Sequence, residues 1–197
     1  MKTILRIDSS PRKEASVSRQ LTNTITEKIK NQQDAEVLYR DVYYDPLVYL
    51  GDEDQVNGYF TPENDQTEAQ KKAIANSNTL ATEFAKADIY VIGTPMYNFG
   101  ISAGLKTYID LIVRAGISFK YTESGPVGLL ENKKAYIAVA TGGTPVGAEV
   151  DFTSTYLKTI LGFIGIKDVE IVAADELQIK GDSVVAEAKT KIESLLG

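Results

Sequence analysis

Thr94-Pro95-Met96-Tyr97-Asn98-Phe99-Gly100-Ile101-Ser102 places two aromatic rings, a thioether and a carboxamide in a turn fenced by proline and glycine. Exposed rings in a short loop are explained by a flat aromatic ligand stacked against them; a plain connecting loop is the alternative. A second suggestive stretch is Asp8–Arg19, where Ser9, Ser10, Ser16 and Ser18 accompany Arg12, Lys13 and Arg19. Hydroxyls and the free amides of a helix start donate to phosphate oxygens, each charge-assisted bond contributing about 1.5–3 kcal/mol net. A helix cap at Ser16 or Ser18 accounts for one serine. It does not account for Ser10, Ser16 and Ser18 together, which favours a phosphate. A third stretch is Ala140-Thr141-Gly142-Gly143-Thr144-Pro145. Its paired glycines allow close backbone approach and present successive N–H groups, or simply make a flexible turn.

Each stretch follows an apolar run of strand length. Five such runs occur, at 3–7, 36–39, 89–93, 135–140 and 169–173. Helical stripes fall between them: Leu21, Ile25 and Ile29; Ala73, Ser77, Leu80 and Phe84; Leu105, Tyr108, Ile109 and Ile112; Tyr156, Leu157, Ile160 and Leu161; Val185, Ala188, Ile192 and Leu195. Alternating strands and helices predict an α/β three-layer sandwich with a five-stranded parallel sheet, in the flavodoxin-like order 2-1-3-4-5. In that order the loops after strands one, three and four share one rim, where ligands of such sheets bind. Residues 1–197 read as a single domain. Ala115-Gly116 reads as the end of the third helix, and Ile117–Tyr121 followed by Ser124-Gly125-Pro126 as an added β-hairpin. That hairpin is expected to project Phe119 or Tyr121 beside the ligand end, or to be a surface hairpin with a modest apolar face. Asp41–Asp65 shows no clear period, yet Tyr43, Tyr44, Tyr49, Tyr59 and Phe60 argue against disorder and for packing on a neighbouring subunit.

Composition excludes much. The chain has 197 residues, 43% hydrophobic and 24% charged, with no His and no Cys. That removes the usual zinc sites, Ser-His-Asp triads, Cys nucleophiles and disulfides. A net charge of −6 argues against a nucleic-acid partner. No apolar run approaches a membrane span, and the amino end reads as a first strand rather than a signal peptide, so a cytoplasmic protein is expected. Demanding chemistry would fall to a cofactor.

A hydroxyl-rich cradle, an aromatic clamp and a backbone-amide edge match the phosphate, ring face and polar edge of non-covalently bound FMN. The chain contains neither G-x-x-x-x-G-K-[ST] nor G-x-G-x-x-G, so a monophosphate fits better than a polyphosphate.

Met96-Tyr97-Asn98-Phe99, Gly100-Ile101-Ser102 and Leu105-Lys106 resemble the FMN-dependent NADH-azoreductase family of flavodoxin-like quinone and azo reductases. Ser10, Ser16-Val17-Ser18, Arg114-Ala115-Gly116, Phe119, Tyr121-Thr122-Glu123, Gly142-Gly143 and Leu161–Gly165 extend the resemblance along the chain. It implies that Ser10, Ser16, Val17 and Ser18 hold the phosphate, that Met96, Tyr97, Asn98 and Phe99 line the isoalloxazine, and that Ala140, Thr141, Gly142 and Gly143 give amides to its edge. It further implies a homodimer with a second-subunit wall over each flavin. Phe99, Tyr121 and Phe163 are candidate pocket walls, core packing being the alternative for Phe163. Some relatives carry a Ser-Arg-Gly-Gly-like sequence where this chain has Ala140–Gly143, which removes a cation near the flavin edge.

The expected activity is ping-pong hydride transfer from NADH through FMN to a quinone or azo compound, cleaving azo bonds to aromatic amines. A one-electron carrier of the flavodoxin kind is the rival. An acyl-carrier-protein phosphodiesterase fits less well, given no His, no Cys and no carboxylate cluster in metal-ligand spacing. A phosphoacceptor receiver domain fails because Asp8 stands alone before Ser9 and Ser10.

Overall fold

The computed structural model describes residues 1–197. The central layer is a five-stranded parallel sheet of β1 (Lys2–Asp8), β2 (Ala35–Asp41), β3 (Ile89–Pro95), β6 (Lys134–Ala140) and β7 (Asp168–Ala174), in the order β2-β1-β3-β6-β7. With the hairpin strands β4 (Phe119–Thr122) and β5 (Gly125–Gly128) set aside, this is the order expected from the sequence. β1, β3 and β6 are buried along most of their length because helices cover both faces, which is why they read as unbroken apolar runs.

One face is covered by α1 (Val17–Gln32) and α7 (Ser183–Leu196). Leu21, Ile25 and Ile29 pack there with Val184, Ala188, Ile192 and Leu196 on the sheet's Ile4, Val91 and Ala138. The other face is covered by α3 (Glu68–Lys86), α4 (Ala103–Ile112) and α5 (Phe152–Phe163). Their larger cluster joins Leu80, Phe84, Leu105, Tyr108, Ile109, Leu157 and Leu161 to Ile7, Ile92 and Ile137. Ser77, Leu80 and Phe84 are buried as expected, and Ile74 rather than Ala73 heads the buried stripe of α3. The start of α3 is fixed by a reciprocal cap: the Gln70 amide donates to Thr67 Oγ1 at 3.2 Å and the Thr67 amide to Gln70 Oε1 at 2.9 Å.

Three sequence expectations are corrected. Residues 41–65, read as a segment without clear period, contain a helix: α2 (Glu53–Phe60) runs through them, capped by Asp52 and packed on α3. Its inner face carries Gln55 and Gly58 rather than large apolar residues, so it leaves no apolar stripe. Tyr59 of this helix lies under the buried Arg114 guanidinium, 3.8 Å from ring centroid to Cζ. Second, α4 stops at Ile112, before Ala115-Gly116, and the hairpin turns at Glu123-Ser124, with Gly125 and Pro126 already in β5.

Third, the hairpin does not sit beside the rim. It follows the carboxyl end of α4 and precedes the amino end of β6, so it hangs at the pole of the sheet opposite the rim. There the Leu130 amide donates to Ile164 O at 2.9 Å, just past the end of α5. A Cβ at Gly128 would stand 2.2 Å from Gly165 N, so hairpin and helix end touch backbone to backbone. The short α6 (Leu177–Lys180), between β7 and α7, lies beside the loop after β6.

Candidate functional site

Strand register decides which loops meet. Asp8 pairs with Gly93, and Gly93 with Ala138. The Ser9 amide and hydroxyl both donate to Gly93 O, at 3.0 and 2.9 Å, and the Met96 amide donates to Ala140 O at 2.9 Å. The segments beginning at Ser9, Met96 and Thr141 therefore leave one edge side by side, as the sequence expected. Gly93 is needed here: a Cβ would lie 2.7 Å from Thr22 Cγ2 and 2.9 Å from Asp8 Oδ1.

In the first loop Ser10, Ser16 and Ser18 are all buried. Ser16 caps α1, its Oγ accepting the Arg19 amide at 3.4 Å and lying 3.1 Å from Ser18 Oγ. The Gln20 amide goes to Ser16 O, which leaves the Val17 and Ser18 amides without a protein acceptor. Capping and a pair of free donors thus coexist. One hydroxyl holds the helix start while two amides and the positive end of the macrodipole remain on offer.

The second loop is a two-residue turn closed by Tyr97 N–H to Gly100 O at 2.9 Å and Gly100 N–H to Tyr97 O at 3.0 Å. Asn98 and Phe99 occupy the left-handed region at φ 49° and 69°. Asn tolerates this; Phe pays about 1–2 kcal/mol, and such strain gathers at ligand clamps. The first turn of α5 holds the strained residue in place: Phe99 O accepts the Phe152 amide at 3.1 Å and Thr153 Oγ1 at 3.4 Å. Asp151 caps that helix, accepting the Thr153 and Ser154 amides at 3.1 and 2.9 Å and the Ser154 hydroxyl. Tyr97, Asn98 and Phe99 are exposed and Met96 is half-buried, so the turn offers its rings outward.

In the third loop Thr141 is used internally. Its amide donates to Ala174 O at 3.1 Å, its hydroxyl donates to Thr144 O at 2.6 Å, and the Glu176 amide donates to that hydroxyl at 3.0 Å. The Gly142 and Gly143 amides have no protein acceptor, and they are the edge this loop can present. Tyr121 and Phe163 are not with these loops. They sit at the opposite pole, where Phe119 packs 5.3 Å from Tyr121 and 4.8 Å from Phe163 between ring centroids.

Behind the rim lies a polar network that no motif announced. The buried Asp8 accepts from Thr22 Oγ1 at 2.6 Å and from Arg6 Nε and Nη2 at 3.1 and 2.8 Å. Burial pushes its carboxyl up, against the pull of Thr22, Arg6 and Arg19. Asp41, at the end of β2, is partly desolvated, yet its bidentate pair with Arg19 holds it below the usual carboxylate range. The free amides and buried hydroxyls suit a single phosphate. The strained aromatic turn and the glycine amides suit a flat ring with a polar edge. The residues present therefore fit FMN.

Comparison with known proteins agrees. A family model described as a flavodoxin-like fold matches residues 2–196. The chain is 49% identical over 191 residues to FMN-dependent NADH:quinone oxidoreductase 1 of Hahella chejuensis, covering 96% of this chain and 92% of that one. It is 45% identical over 195 residues to the protein of the same name from Jannaschia sp., covering 99% of each. Among solved structures, azoreductase from Bacillus anthracis str. Sterne superposes with a TM-score of 0.90 at 32% identity, covering 100% of this chain and 99% of that one. An FMN-dependent NADH-azoreductase from Bacillus anthracis str. Ames Ancestor, solved in complex with FMN, superposes with a TM-score of 0.89 at 28% identity, covering 100% and 98%. By fold, by rim geometry and by these likenesses, the chain belongs to the flavodoxin-like family of FMN-dependent NADH:quinone oxidoreductases and azoreductases.

Proposed function

We propose that the protein is an FMN-dependent NADH:acceptor oxidoreductase that reduces quinones and azo compounds by two electrons. The observation that carries this reading is the juxtaposition of unpaired helix-start amides, a strained aromatic turn and unpaired glycine amides on one rim. FMN supplies the hydride-accepting ring nitrogen that a chain without His or Cys lacks.

The residues bind and orient. The Ser10, Ser16 and Ser18 hydroxyls and the Val17 and Ser18 amides hold the phosphate. Met96, Tyr97, Asn98 and Phe99 form the wall along the ring, with Phe99 fixed in its left-handed conformation by α5. Ala140 and Thr141 set the third loop so that the Gly142 and Gly143 amides donate to the ring's polar edge. The same aromatic turn excludes water from the reacting face, and NADH and acceptor use it in turn.

The active form is a homodimer. Tyr49, Phe60, Tyr121 and Phe152 are each more than half exposed, rings that a second subunit would cover. Tyr121 and Phe163 lie at the far pole, so within one chain they cannot cover the rim; a second subunit brings them over it. We place the protein in the cytoplasm, where NADH is supplied.

The test is spectroscopic. Apoprotein takes up FMN stoichiometrically, anaerobic NADH bleaches the yellow absorbance, and a quinone restores it. Failure to take up FMN overturns the proposal. Slow bleaching that stops at a blue one-electron form points instead to a carrier.

A further inference from the structure

We propose that Arg19 is a positioning residue that makes capture of the cofactor's phosphate and ordering of the aromatic segment after β2 a single event. The inference rests on the reading of residues 10–18 as the phosphate cradle. It adds a link from that cradle to a segment that no phosphate contact reaches.

The geometry is a closed ring of contacts. Arg19 donates Nε and Nη2 to the carbonyl of Ser10, at 2.9 and 2.5 Å. Its Nη1 and Nη2 hold Asp41 at 2.6 and 2.8 Å, a two-pronged pair whose planar fork fits a carboxylate. Asp41 Oδ1 in turn accepts the amides of Tyr43 and Tyr44, at 3.2 and 3.3 Å. Tyr44 closes the ring by donating its hydroxyl to Pro11 O at 2.7 Å, next to Ser10 in the chain. The Arg19 amide meanwhile belongs to the first turn of α1, bonded to the capping Ser16.

These guanidinium bonds all face protein groups. With Asp41 in direct contact and Asp8 at 4.0 Å, the charge is already matched. Arg19 therefore does not ligate phosphate; it sets the Ser10 carbonyl, and with it the loop that does. Tyr43 and Tyr44 stack edge to face at 5.0 Å between centroids and are half exposed, so order imposed on Asp41 passes to two rings at the mouth of the rim. A flavin that carries the phosphate tightens residues 10–12 and, through this ring, residues 41–44. A flavin without it binds the rim and leaves them loose.

The experiment compares FMN with riboflavin on apoprotein, reading affinity by flavin fluorescence and backbone order by hydrogen exchange. In the unmodified protein FMN binds at least about tenfold tighter than riboflavin, and FMN alone slows exchange at Tyr43 and Tyr44. In Arg19→Met the FMN advantage shrinks about tenfold and the slowing disappears. Arg19→Lys, which keeps one bond but not the fork, falls between. Tyr44→Phe, which opens the ring at Pro11, lowers the FMN advantage about twofold to threefold as the slowing is reduced, and it decides the matter if Arg19→Met does not fold. Equal affinity for the two flavins in the unmodified protein overturns the phosphate cradle itself. A preserved FMN advantage with slowing intact in Arg19→Lys and Tyr44→Phe overturns the role of Arg19 and leaves the cradle standing.

Discussion

The two poles of the sheet are built in opposite ways. At the rim, polar groups are buried and cross-linked: Ser9 to Gly93, Met96 to Ala140 and Arg19 to Ser10 and Asp41 form a lattice that leaves the Val17, Ser18, Gly142 and Gly143 amides unpaired. At the hairpin pole the backbone is locked by Gly128 against Gly165, while Tyr121, Val127 and Leu129 face solvent. The backbone there is fixed while the side chains above it are left uncovered by the chain itself. The difference teaches that one pole spends its polar groups on fixing loops, while the other fixes its backbone and leaves side chains exposed.

The sharpest way to break this comparison is at the locked glycine. Gly128→Ala drives a Cβ to 2.2 Å from Gly165 N, so the hairpin must move or the helix end must yield. A loss of about 3 kcal/mol is expected, lowering the melting temperature by roughly 6–12 °C, with FMN affinity of the folded fraction unchanged. A matching loss of FMN affinity in titration would show that the poles are not separate.

Next in size is Tyr121→Ala. If this ring covers a partner's rim, quinone kcat/KM drops about tenfold, roughly 1.4 kcal/mol of transition-state stabilisation, while melting and FMN affinity stay put. Unaltered steady-state kinetics would confine Tyr121 to the surface of its own subunit.

Phe99→Gly sharpens the rim side. Glycine relieves the left-handed strain, so the apoprotein gains up to about 1 kcal/mol in denaturant unfolding even as the ring is lost and FMN affinity weakens. A destabilised apoprotein would mean that Phe99 is a packing residue and that its strain serves no ligand.

The smallest effect is a pH term at Asp151. Burial raises its carboxyl, but the Ser154 hydroxyl and the Ser154, Gly147 and Thr153 amides outweigh it and hold the folded value below 3.8. A depressed carboxylate adds stability that is complete above the unfolded value and is lost as pH falls through the folded one. Asp151→Asn, which retains a capping side chain, is therefore less stable by about 1 kcal/mol near neutrality. The gap closes in melts taken as pH falls through that depressed folded value. A gap that persists in acid would assign the effect to shape rather than charge.

Much of the rim was legible because buried parallel strands leave uninterrupted apolar runs, and Pro95 and Gly100 mark where one of them stops. Helix phase was read to within a residue for the same reason. Thr141 was harder. Its type suits a ligand contact, but pairing with β7 consumes its amide, and that is a fact of register, not of residue type. Arg19 and Asp41 are 22 residues apart and meet only because β2 lies beside β1. Of the two readings of the hairpin the surface one holds; the sequence could not choose because the choice depends on where α4 ends, and a ten-residue helix leaves no sign of how far along the sheet it reaches. α2 escaped because its inward positions are Gln55 and Gly58.

The meeting of Gly128 and Gly165 has a bearing on how such a protein diversifies. With no side chain between the two segments, the height of the hairpin over the sheet is set by main-chain thickness and cannot be tuned in small steps. Change at this pole is then confined to side chains at the hairpin's tip, exchanged on a mount that stays still.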